Sequence, residues 1–192
     1  KLVALLIAAL MVLSVPALAE SEKTYTVGIC QLVQHVALDA ATQGFKDALT
    51  EKLGDSVKFN EQNASGDSAN CITIINGFLA DNVDLIMANA TPALQAAQAA
   101  TADTPILGTS VTDYGTALDI ADWTGATGMN ISGTSDLAPL DGQADMIKEL
   151  FPDAKKVGLL YCSAEANSAY QINVIKGYLT EMGYECTDYA FT

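Results

Sequence analysis

DLIMANATPALQAAQ, residues Asp84–Gln98, reads as a strand that feeds straight into a helix. Leu85–Ala88 is a short apolar run between the turn formers Asn82-Val83-Asp84 and Asn89-Ala90-Thr91, the pattern of a strand buried in a parallel sheet. Thr91 is expected as the N-cap and Pro92 as the first helical residue, where its missing N–H costs nothing. Ala93–Ala102 continues as an Ala/Gln/Leu helix. Such a junction aims free backbone N–H groups and the positive dipole end at the strand's carboxyl edge, a place for a small anion such as a carboxylate. One such turn is also ordinary α/β architecture. The functional reading gains weight because other turns carry similar polar side chains.

Working outward toward the N-terminus, Thr24–Cys30 alternates and then runs apolar, a first strand, followed by a loop at Gln31–His35. Ala37–Leu53 is helical, with Leu38, Ala41, Phe45, Ala48 and Leu49 on one face, and Gly54-Asp55 ends it. Val57–Gln62 is a second strand, Asn63–Asp67 a turn, and Ser68–Ala80 a helix with Ile72, Ile75, Phe78 and Leu79 as its stripe. Toward the C-terminus, Pro105–Thr109 is a fourth strand, Ser110–Thr124 is irregular, and Ala126–Ile131 is read as a fifth strand. This β-α-β-α-β-α-β-loop-β order with short connections is α/β with a mostly parallel sheet. Right-handed crossovers then gather the strand ends and helix starts along one edge, so Gln31, Thr91 and Thr112-Asp113 should converge there.

Ser132–Asp136, SGTSD, breaks the alternation and suits a crossing between lobes. A helix over Leu140–Phe151, a strand over Lys156–Cys162, a helix over Asn167–Met182 and a strand over Tyr184–Phe191 restart it. The expected domains are therefore a leader at 1–19, one α/β lobe at 20–132, and the start of a second at 133–192.

The chain has 192 residues, half of them apolar, enough for one large domain or one and a half smaller ones. It begins at Lys1 and stops inside an expected strand, so both ends read as fragment ends. Lys1, the apolar run Leu2–Val15 and Pro16-Ala17-Leu18-Ala19 form a secretory signal peptide with cleavage expected before Glu20. The run is short for a membrane span of about 20 residues. No lipobox cysteine follows it, the first Cys being Cys30, so an exported, soluble, periplasmic or extracellular protein is expected.

Loss of Lys1 takes the formal charge from −14 to −15. An acidity of this size disfavours nucleic acid and anionic membrane surfaces as partners, though most of it serves solubility. The four cysteines, Cys30, Cys71, Cys162 and Cys186, have no metal-type spacing, and in an oxidising compartment disulfides are the default.

Catalytic patterns are scarce. His35 is the only histidine, so a Ser or Cys nucleophile would have no other imidazole as its base, and no GxSxG, Walker or HExxH pattern occurs. Val27-Gly28-Ile29-Cys30 lacks the later glycines of a dinucleotide fingerprint. No cofactor, no metal and no enzymatic activity are expected. What remains is a set of polar turns: Gln31–His35, Asn89–Thr91, Thr112-Asp113, Ser135-Asp136 and Glu165–Ser168. Helix starts and hydroxyls suit a carboxylate, acidic side chains suit an ammonium, and both together suit a zwitterion.

The stretches VGICQLVQHVALDAATQGF, NASGD, IMANATPALQAAQ, TPILGTSVTDY, GMNISGTSD and KKVGLLYCSAEANS resemble the substrate-binding proteins of tryptophan/tyrosine-type ABC transporters, a branch of the type I periplasmic binding proteins. The resemblance runs from about Tyr25 to the end. It implies two Rossmann-like α/β lobes with parallel sheets, joined by three crossings, the second incomplete here. A small ligand, an amino acid with an aromatic one favoured, would lie in the cleft and pass to ABC permease subunits. A monomer is implied. Gln31, His35, Thr91, Thr112 and Asp113 would face the cleft from lobe one, Ser135 and Asp136 would lie at the first crossing, and Glu165, Asn167 and Ser168 would reach across from lobe two. Val36 and Tyr114 stand where the pattern has prolines, and Tyr114 is expected as an added aromatic wall. The alternatives are the sensor domain of a receptor, which shares the fold, and a hydrolase using Cys30, Cys162 or a serine.

Cys30 and Cys71 are the expected disulfide. In a sheet of order 2-1-3, the helix that begins near Cys71 must cross strand one, whose end is Cys30. Cys162 and Cys186 would sit at opposite ends of parallel neighbours. Four buried free thiols are the alternative.

Overall fold

A computed structural model of the chain describes residues 23–192, and the expected leader at 1–19 lies outside them. Five parallel strands form the main sheet in the order β2-β1-β3-β4-β5: β1 Tyr25–Gln31, β2 Val57–Asn63, β3 Leu85–Asn89, β4 Ile106–Val111 and β5 Ile131–Ser135. The expected 2-1-3 start of the order is what forms.

Helix α1, Val36–Leu53, covers one face, where Phe45 and Leu49 meet Val27, Ile29, Val57 and Met87. Helices α2, Ser68–Ala80, and α3, Thr91–Ala100, cover the other, where Cys71, Ile75, Phe78, Leu94 and Ala97 pack on Cys30, Ile86 and Ile106. Alternate residues of β1 thus serve opposite layers, as the two-residue strand period requires. Gly28 is glycine for a packing reason: a Cβ there would stand 2.6 Å from the Phe78 ring of α2. Asp67 caps α2 by accepting the Ala69 N–H at 2.8 Å.

Several expectations are corrected. The fifth strand is Ile131–Ser135, not Ala126–Ile131, and Met129 of the expected strand is exposed. The fragment read as a lobe crossing is therefore mostly strand, and sheet pairing reaches Val111–Ser135, past the expected boundary at 132/133. Its place is fixed by Tyr114: the phenol lies over Gly108 and Gly133, leaving no room for a Cβ at either, and donates to the Thr134 carbonyl at 3.3 Å. Tyr114 is thus a buried core residue, stacked on Trp123 with ring centroids 6.4 Å apart, rather than an aromatic wall of a cleft. It opens a short helix, α4, Tyr114–Ala117, inside the stretch expected to be irregular. Finally, Thr91 is the first residue of α3 and not its cap. Ala90 holds that place at φ 94, with no side chain to cap the turn.

Beyond β5, α5 (Leu140–Leu150), β6 (Lys156–Cys162), α6 (Ala166–Glu181) and β7 (Glu185–Phe191) form a second, two-stranded parallel sheet with Ala144, Leu159 and Leu179 as its small core. Helix α6 packs against α4, which brings this unit onto the carboxyl edge of the main sheet.

Candidate functional site

Register places the lobe-one residues along one edge. Gln31 pairs with Asn89, Asn89 with Thr109, and Val111 with Ser135, so four adjacent strands end side by side. The edge the sequence predicts exists, but its residues do different work.

Gln31 is a brace. Buried at the end of β1, its Nε2 donates to the Val33 carbonyl at 2.9 Å and to Asp39 Oδ1 at 2.6 Å, while its Oε1 accepts from Thr42 Oγ1 at 2.7 Å. Asn89 extends the network, Nδ2 donating to the Leu38 carbonyl and to Thr42 Oγ1, both at 2.9 Å. Together they pin the first two turns of α1 to β1 and β3. Thr42, missing from the expected site set, and Asn89, expected only as part of the Asn89–Thr91 turn, are fully or nearly fully buried. Their signal in the sequence is weak: a Thr inside an amphipathic helix and an Asn ending an apolar run. His35 is exposed and caps α1, its Nδ1 accepting the Ala37 N–H at 3.2 Å.

At α3, two buried oxygens have no partner among the described residues: Asn89 Oδ1 and Thr91 Oγ1. They flank the uncapped helix start, whose first-turn amides have no side-chain acceptor and whose Pro92 offers no N–H. A buried polar atom without a partner is costly, so these two oxygens call for a water or ligand partner.

Thr112 is buried, and its carbonyl accepts from Ser135 Oγ at 2.7 Å, which ties the β4 end to the β5 end. Asp113 caps α4 with Oδ1 on the Thr116 N–H at 2.7 Å. Asp136 is exposed next to them, its N–H donating to the Val111 carbonyl at 3.1 Å. The Tyr114 phenol is pushed up to about 12, first by burial, with the negative charge of Asp136 adding to it and the Thr134 carbonyl opposing. Two carboxylates at one strand edge suit a cation.

On the second sheet, Glu165 precedes α6, and Asn167 Nδ2 donates to Glu165 Oε2 at 3.4 Å while Asn167 Oδ1 is buried without a partner. Glu165 and Ser168 line a cavity of about 720 Å³ with Gln143, Tyr161, Gln171 and Phe191. That cavity belongs to the second unit alone, and none of the lobe-one residues lines it. The expected residues therefore fall into two groups, one on each unit.

Comparison with known proteins covers nearly the whole described chain. The family model for ABC transporter substrate binding proteins matches residues 26–190. A tyrosine-binding protein of Clostridioides difficile is 40% identical over 172 residues, which is 88% of this chain and 50% of the relative. The chain thus spans about half the length of that curated relative. A Streptococcus pneumonia ABC domain in complex with L-Trp superposes at a TM-score of 0.82 with 33% identity, over 88% of this chain and 58% of that one. The ligand-free, open structure of a Clostridium difficile substrate binding protein is 37% identical over the same shares, yet superposes at only 0.66.

Proposed function

Because the chain belongs to the ABC transporter substrate-binding protein family and has its type I periplasmic-binding-protein fold, we propose that it serves as an exported solute-binding protein that holds an aromatic amino acid between its two units and presents it to the permease subunits of an importer. The observation that carries the ligand reading is the uncapped start of α3, with Thr91 Oγ1 and Asn89 Oδ1 left without partners beside it. Backbone amides and a hydroxyl there suit the ligand's carboxylate. Asp113 and Asp136, on the neighbouring strand ends, suit its ammonium. Glu165, just before α6, and Asn167 and Ser168 within it would close over it by a hinge movement in the segment between β5 and α5.

His35 commits Nδ1 to the α1 cap, which engages the lone pair an imidazole base would use. This supports binding over hydrolysis. The test is calorimetric titration of the full-length protein with L-tryptophan, L-tyrosine and L-leucine. Asp113→Asn keeps a good N-cap residue for α4 and removes the charge; affinity for the best amino acid should fall about ten- to a hundredfold. Unchanged affinity removes Asp113 from the ligand's surroundings.

A further inference from the structure

Cys30 and Cys71 are both wholly buried, each at 0% exposure, in the layer between the sheet and α2. They belong to one buried cluster, close enough for each thiol to shift the other's titration, and both are free in this structure. The meeting is dictated by the fold. Helix α2 runs antiparallel over β1, and its buried stripe is Cys71, Ile75 and Phe78. Phe78 sits on Gly28, so the side chain two residues further along β1, Cys30, lies under the start of the same stripe. Two contacts thus seat α2 on β1, and one of them is a pair of thiols.

We propose that Cys30 and Cys71 are a disulfide site, closed as the chain folds by a dithiol-oxidising partner of the disulfide class, either a thiol–disulfide oxidoreductase or a small-molecule disulfide. In the first step the Cys71 thiolate attacks one sulfur of the oxidant's disulfide; a mixed disulfide forms and the oxidant's other sulfur leaves as thiolate. In the second, Cys30 gives up its proton and attacks Cys71 Sγ, expelling the oxidant's remaining sulfur. Two thiols lose two protons and two electrons, and the oxidant's disulfide gains them. The order follows the local electrostatics: the neighbouring Cys30 thiol lowers Cys71, against the effects of burial and Asp67, whereas the neighbouring Cys71 and burial hold Cys30 high.

The bridge would close where it matters for the strand edge. The loop after β1 and the turn before α2 already exchange backbone bonds, Ala64 N–H to the Gln31 carbonyl at 2.9 Å and Gly66 N–H to the Leu32 carbonyl at 2.8 Å. A covalent link beneath them fixes the loop carrying His35 against α2. The other two cysteines cannot take part as a pair. Cys186 is level with Val157 and Cys162 with Phe191, five residues apart in register, or roughly 16 Å at 3.3 Å per residue, beyond the reach of a bridge.

The test refolds reduced, denatured full-length protein in a glutathione redox buffer, quenches with iodoacetamide and maps the non-reduced peptides. A Cys30–Cys71 linkage with Cys162 and Cys186 alkylated is expected. Four alkylated thiols, or any linkage of Cys30 to Cys162 or Cys186, overturns the proposal. Thermal melts of the same wild-type protein with and without reductant need no variant: reduction should lower Tm by about 5–15 °C, and a Tm indifferent to reductant overturns it. The double variant Cys30→Ala/Cys71→Ala should melt at the same temperature with and without reductant. None of these readouts depends on a ligand, so they stand or fall apart from the amino-acid reading.

Discussion

Strands β3 and β6 make an instructive pair. LIMAN and KVGLLYC are both short apolar runs at the start of a strand–helix unit, yet β3 is buried at four of its five residues and β6 at one of its seven. β3 has a strand on each side and helices on both faces, α1 below and α2 with α3 above. β6 has one neighbour, and Leu160 stands 71% exposed beside Tyr189 and Phe191. Local sequence makes the strand. Burial comes from the layers that flank it.

The sharpest break of this comparison is a matched pair of truncations read by urea unfolding. Phe78→Ala empties the contact between α2 and Gly28 and should cost about 3–5 kcal/mol. Leu160→Ala, at an exposed position of β6, should stay within about 0.5 kcal/mol in this chain. Equal costs would mean that the two sheets are equally well packed. Next in size is Asn89→Ala, which removes the bonds its Nδ2 donates to the Leu38 carbonyl and Thr42 Oγ1 and should cost about 1–3 kcal/mol. Thr91→Val sharpens the point at the same edge. Its hydroxyl has no partner to lose, so stability should hold within about 0.5 kcal/mol while amino-acid affinity falls.

A further effect is alkaline. The folded Tyr114 phenol is pushed up to about 12 from an ordinary 10, so above pH 10 the unfolded chain releases a proton that the folded one keeps. Stability therefore falls as pH rises from 10 toward 12, by about 2 kcal/mol from this group. Tyr114→Phe should flatten that limb in denaturation series at pH 9 to 11.5. An unchanged limb would place its cause elsewhere.

The elements that were legible in the sequence are those whose own residues carry the pattern. Ser68–Ala80 and Lys156–Cys162 form with the bounds their apolar spacing and turn neighbours predict. β5 was not legible, because ISGTS has one apolar residue and its position is set by a tyrosine seventeen residues before its start, lying over Gly108 and Gly133. The cap of α3 was misread for a similar reason. Thr91 is the better capping residue, but β3 runs on through Asn89, whose side chain is drawn into the α1 network, and the chain turns at Ala90 with a positive φ instead. The polar edge itself was readable from topology. Which of its residues brace the fold, as Gln31 does, and which are left with open valences, as Thr91 is, depends on how strand ends and α1 meet in space and lies beyond any local pattern.

The central claim is that the start of α3 receives a carboxylate. The measurement that reaches it most directly is calorimetric titration of the full-length protein with L-tryptophan and L-tyrosine beside tryptamine and tyramine, which keep the ring and the ammonium and lack only the carboxylate. The claim predicts that each amine binds at least about tenfold more weakly than its amino acid, the loss of a charge-assisted contact. Amines that bind as tightly as the amino acids would contradict it.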